Sequence, residues 1–131
     1  MIPIFLDRAY NEAFDLLVEA RDYFAYREPQ ERHVLRIEQR LQLNCEALRL
    51  TSRLTQIMAW LLVQKAVHAG EMSAIEAAAD EHRLAGQYVC LVQSDPDTLP
   101  LPAHLQSLLD RSYLLYQRIG RLDAMTAARV H

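Results

Sequence analysis

The sequence predicts an all-α fold: an antiparallel helical bundle of three main helices plus one short helix, built around a long central helix. Three observations lead there. The stretch Glu46 to Gly70 holds no proline, and no glycine before Gly70 itself. Two further stretches, one near each end of the chain, carry apolar residues at alternating steps of three and four, which place them on one helix face. Apolar residues make up 51% of the 131, enough for one core, so a single domain over residues 1–131 is expected.

The first helix is expected from about Asp7, a candidate N-cap, to Tyr26. Its seam is Leu6, Tyr10, Ala13, Leu17, Ala20 and Phe24, widened by Phe14 and Tyr23, and its opposite face is acidic. Glu28-Pro29 then ends this helix, unless Pro29 sits in the first turn of the next. The central helix is expected from near Gln30 to Ala69, about 40 residues or roughly 60 Å. Leu43-Asn44 is a weak point in its pattern, and Gly70 is a natural residue just past its end.

The central helix has two apolar seams and a polar stripe. Leu41, Leu48, Thr55 and Leu62 form one seam at a step of seven; Leu43, Leu50, Leu54, Ile57 and Leu61 form the other. At about 100° per residue the two point to nearly opposite sides. One side is expected to pack on the chain itself, and the other is left for more of the chain or a second subunit. The stripe is Glu46, Arg49, Arg53, Gln56, Trp60 and Gln64. It reads either as an ion-paired face with Trp60 tucked into the core edge, or as an interface, since Trp and Arg anchor protein contacts.

Ser73 and Glu76 form a capping box that opens a third, short helix, ended by Gly86. Tyr88 to Val92 has strand-like composition, but a lone strand has no partner here, so an apolar connector laid on the bundle is expected. The loop SDPDTLPLP leads to Pro102 at the first turn of the last helix, whose seam is Leu105, Leu108, Ser112, Leu115, Ile119 and Leu122. The tail after Asp123 is expected to fray.

The totals narrow the function. A net charge of −3, with the thirteen arginines and one lysine interspersed among acids, argues against general nucleic-acid binding. The apolar run before Asp7 has no basic flank, unlike a secretory signal. Leu54 to Gln64 is too short to span a bilayer. A cytoplasmic protein with Cys45 and Cys90 reduced is expected. No glycine-rich phosphate loop, no zinc-like Cys/His spacing, no Glu-x-x-His pair and no nucleophile motif is present in the sequence, so no cofactor, metal or catalytic residue is expected.

The stretch EALRLTSRLTQIMAWLLVQKAVHAGEMS resembles the signature segment of the RcdA-like proteins, regulators of CtrA degradation in alphaproteobacteria. The pattern is carried here by Glu46, Arg49, Leu50, Thr51, Arg53, Leu54, Gln56, Trp60, Leu61, Leu62, Gln64, Ala66, Val67, Gly70 and Glu71. The last helix is similar too, through Leu101-Pro102, Arg111-Ser112, Leu115-Tyr116, Arg118 and Arg121-Leu122-Asp123. The resemblance implies a non-enzymatic helical bundle and a homodimer. It also implies an adaptor that helps deliver a cell-cycle transcription regulator to the ClpXP protease, with co-adaptors, at a cell pole. On this reading Glu46, Arg49, Arg53, Gln56 and Trp60 form a partner contact or the dimer seam. The alternatives are a DNA-associated regulator, through Ser73 to Val92, or a small helical ligand-binding protein, which needs a cavity of a few hundred cubic ångströms.

Overall fold

The computed structural model describes residues 3–93 and 99–130. Among these, three long helices form the bundle: α1 (Ile4–Asp22), α3 (Ile37–His68) and α6 (Ala103–Val130). Short helices α2 (Glu28–Arg32), α4 (Ala74–Ala77) and α5 (Gln87–Cys90) lie between them.

α1 starts at Ile4 with Pro3 in the N-cap position, so Asp7 lies in the first turn rather than capping it. Its buried line is Leu6, Ala9, Ala13, Leu16, Ala20 and Tyr23. That is the predicted seam turned by part of a step: Leu17 and Phe14 are left exposed, and Tyr10 and Phe24 are only partly covered. The helix does not stop before Pro29. Proline has no amide hydrogen to offer the carbonyl four residues back, and the helix widens into a π turn over Tyr23–Arg27 before α2, with Pro29 in its first turn. Tyr23 ties this bend together by donating to Glu31 (2.6 Å).

α3 begins at Ile37, not near Gln30, and runs unbroken through Leu43-Asn44. The charged residues before it form α2 and a turn, and the Arg36 amide is capped by the Gln39 side chain (3.0 Å). At the other end, Gly70 adopts φ +79°, and the Glu71 amide reaches back to the Ala66 carbonyl (2.9 Å). This is the left-handed C-terminal stop that glycine allows.

The capping serine is present: the Glu76 amide donates to Ser73 Oγ (3.0 Å). The helix it opens is a single turn, however, followed by a 3₁₀ turn at Asp80–His82. Tyr88–Val92 is neither strand nor plain connector. Gly86, at φ +80°, turns the chain into α5. The part of the predicted loop at 94–98 lies outside the described residues. Pro102 precedes the last helix, its carbonyl accepting from Gln106 (3.0 Å). Beyond Asp123 the chain stays helical to Val130 instead of fraying.

The cross-helix contacts give the directions. Lys65 lies over the Tyr10 ring, Glu19 pairs with Arg111, and Glu12 pairs with Arg118. α1 is therefore antiparallel to both other long helices. Arg53 reaches Leu109 and Ser112, and Trp60 reaches Asp123, so α3 and α6 run the same way. The chain between them must travel back along the bundle. The core fills the space among the three, with Leu50, Ile57, Leu105, Leu108 and Ile119 fully enclosed. The α6 seam lies as predicted, apart from half-covered Leu122.

Candidate functional site

Two features of α3 stand out, one buried and one exposed. The buried one is the polar stripe. An irregular segment laid on a bundle brings backbone carbonyls that no helix ladder satisfies, and once buried these must find donors. The returning segment from Arg83 to Val92 has this difficulty, and α3 answers it. Trp60 Nε1 donates to Asp123 (3.0 Å), which also receives the Arg83 guanidinium (2.9 and 3.0 Å). One turn earlier, Gln56 Oε1 accepts the Ala85 amide (3.1 Å), whose carbonyl takes the Tyr116 hydroxyl (2.6 Å).

Arg53 is the hub. It is 2% exposed and donates to the carbonyls of Cys90 (2.7 Å), Val92 (2.8 Å) and Leu109 (3.0 Å), and to Ser112 Oγ (3.3 Å). Its guanidinium also lies 5.2 Å from the Tyr113 ring centre. Only the planar fork of arginine reaches so many acceptors at once. Arg49 adds a bond to the Val89 carbonyl (3.2 Å) and pairs with Glu46, the nearest carboxylate on the stripe. Burial pulls the Arg53 pKa down, and the like charge of Arg49 adds to this, while Glu46 opposes it. Burial also pushes the Cys90 thiol up, so it sits in the core as a neutral apolar group.

The structure sets the stripe against its own chain. Glu46, Arg53 and Trp60 are buried and Arg49 and Gln56 half-buried, and the bonds formed by all five are within the chain. This burial has a simple cause. The stripe reads as a surface because its residues are polar, but the segment folded over it is a row of polar backbone. The other half of the lattice is Arg83, Ser112, Tyr116 and Asp123; sequence reasoning named the last three on the final helix but did not join them to the stripe, and it passed over Arg83. The available signal was the run of polar residues at core spacing along the last helix.

The exposed feature is the seam of seven. Leu41, Leu48 and Leu62 are 61%, 70% and 51% exposed. Beside them, between α3 and α1, lies an open apolar groove of about 490 Å³ lined by Leu17, Phe24, Leu50, Leu54, Met58 and Leu62. No group of three or more His, Cys, Asp or Glu side chains placed to hold a metal occurs among the described residues. Nor, among them, is any helix long and apolar enough to cross a membrane.

A family model described as "Protein of unknown function (DUF1465)" matches residues 1–131. The crystal structure of RcdA from Caulobacter crescentus CB15 is similar over nearly the whole fold: TM-score 0.78 and 32% identity, covering 94% of this chain and 91% of that one. The chain belongs to the RcdA-like DUF1465 family. No curated protein matches it. Within this RcdA-like chain, the signature segment is the buried lattice: Arg49, Arg53, Gln56 and Trp60 hold the fold's return path. The exposed seam of Leu41, Leu48 and Leu62 lies on the opposite side of the same helix.

Proposed function

We propose that this protein is a non-enzymatic adaptor that brings a client to a AAA+ protease of the ClpXP type. The client would be a transcription regulator of the cell cycle, met in the cytoplasm or at a cell pole. The observation that carries this reading is the likeness to RcdA over 94% of the chain at 32% identity. The physical design agrees with it. The lattice on α3 ties the return segment to the bundle, and the leucines on its outer face present exposed apolar area. Tethering then acts by effective concentration: two modest contacts in one assembly do what neither does alone, with no covalent step. The reading includes a two-copy state and protein partners, with co-adaptors among them.

The test is an affinity capture from the source cells, read by mass spectrometry, with an unrelated helical bundle as control bait. Enrichment of ClpX or ClpP together with a response regulator supports the reading. Capture of DNA-bound factors alone, with neither protease subunit, contradicts it.

A further inference from the structure

We propose that the end of the bundle where α1 begins holds a binding site for a small carboxylic acid with an apolar body. The site is independent of the adaptor reading. The start of α1, the last turns of α3 and α6, and α4 together line a cavity of about 260 Å³ there.

The first argument is an unpaired buried amide. Among the described residues six polar or charged side chains are buried: Glu28, Glu46, Arg53, Gln64, Ser112 and Asp123. Five of them hydrogen-bond within the chain. Gln64, 5% exposed, is the exception, with no side-chain partner among the described residues. No side-chain polar atom that is sealed from solvent lacks a partner among them. The accessible part of the Gln64 amide therefore opens into the cavity that it lines. A buried amide without a partner costs stability, and buried polar groups otherwise find one.

The second argument is the wall. Phe5, Leu6, Trp60, Val67, Ala77 and Val130 make the lining mostly apolar. Few polar groups on apolar walls is the pattern of a small-molecule site. Water fits it poorly, since each buried water needs about two to four polar partners. A cavity of about 150 Å³ holds benzene, so this one has room for a ring or chain of roughly ten heavy atoms.

The third argument is charge. His68, one turn beyond Gln64 on the same helix face, and Arg129 of α6 line the same cavity. Neither enters an ion pair among the described residues. No acid lines this cavity, whereas depressions elsewhere carry Glu46 and Asp110, or Glu12, Asp15 and Glu19. α1 starts here without a side-chain cap, and a helix start favours an anion. The ends of α3 and α6 oppose it, and His68 and Arg129 in their last turns offset them. The carboxylate then accepts from the Gln64 amide beside His68 and Arg129, and the apolar body lies against Phe5 and Trp60.

Trp60 is the chain's single tryptophan and lines the cavity, so its fluorescence reports occupancy. The full chain is titrated with octanoate, and with octylamine as the same hydrocarbon bearing the opposite charge. Octanoate is expected to shift the Trp60 emission saturably and to raise the melting temperature, as a ligand of the folded state does. Octylamine is expected to do neither. Gln64→Leu removes the amide while keeping the volume. It is expected to melt no lower than wild type and to weaken octanoate binding at least about tenfold. Ala74→Phe, at an exposed position on the lining, is expected to keep its helical circular dichroism and block the cavity with the same loss. The site is overturned by no saturable response to octanoate up to about 10 mM, or by an equal response to octylamine. Full octanoate binding by either folded variant, or a Gln64→Leu that melts well below wild type, overturns it too.

Discussion

Replacing Arg53 with methionine removes the guanidinium while keeping most of the stem that fills its channel. Four acceptors lose a donor. They do not weigh equally. The Leu109 carbonyl still accepts from Ser112 Oγ (3.0 Å), and Val92 is exposed enough to take water instead. The Cys90 carbonyl belongs to a residue with 0% exposure and has no such substitute. Hydrogen bonds from a charged group contribute about 1.5–3 kcal/mol each, and an unsatisfied buried carbonyl costs about 1–3 kcal/mol. Relief of the desolvation that depresses the Arg53 pKa offsets part of the loss. The expected net destabilisation is about 3 kcal/mol, measured by urea unfolding followed by circular dichroism. The same variant should lose hydrogen-exchange protection first at Val89 to Leu91, since that segment is what the arginine holds. Arg53→Lys should recover less than half of the loss, because an ammonium cannot reach the separated acceptors together. Stability within about 0.5 kcal/mol of wild type, with Val89 to Leu91 still protected, would refute the reasoning.

Three other outcomes follow from the same geometry. Trp60→Phe removes the donor to Asp123 and part of a buried ring, and should cost about 2–3 kcal/mol in urea unfolding; no change would mean that Arg83 alone holds Asp123. Gly86→Ala places a Cβ 3.3 Å from the Cys90 Sγ at φ +80°, and should cost about 1–2 kcal/mol by the same assay. Glu19 is held below its ordinary value of 4.5, chiefly by the hydrogen bond from Arg111, with His104 adding and burial opposing. Its contribution to stability is therefore present above about pH 4.5 and lost as pH falls through the lower folded-state pKa. The melting temperature should drop across that acidic range, and Glu19→Gln should flatten the drop; identical profiles would remove Glu19 from the account.

Much of the fold was legible because its signals are local. The α6 seam, the buried seam of α3, the stop at Gly70 and the Ser73 cap depend on periodicity and on single-residue backbone chemistry. Where the reading slipped, a distant partner decided. α1 turned by part of a step, burying Leu16 in place of Leu17, because two helices pack on it from different sides. Pro29 was absorbed by a π turn, which hydrophobic pattern does not announce. The polar stripe was legible as a unit, and its residues do act together. Its partners were not legible, because backbone carbonyls at Val89, Cys90 and Val92 carry no side-chain signature. The outer seam of Leu41, Leu48 and Leu62 was visible from its spacing, and the fold leaves it exposed.

The central claim, that the chain works by tethering, is tested most directly by degradation of a purified response-regulator client by ClpXP with and without this protein. Tethering raises the local concentration of client and leaves the protease's own chemistry alone. The account predicts a lower KM with an unchanged maximal rate, so that the acceleration vanishes at saturating client. A KM and a rate that do not respond to the protein at any concentration would contradict it.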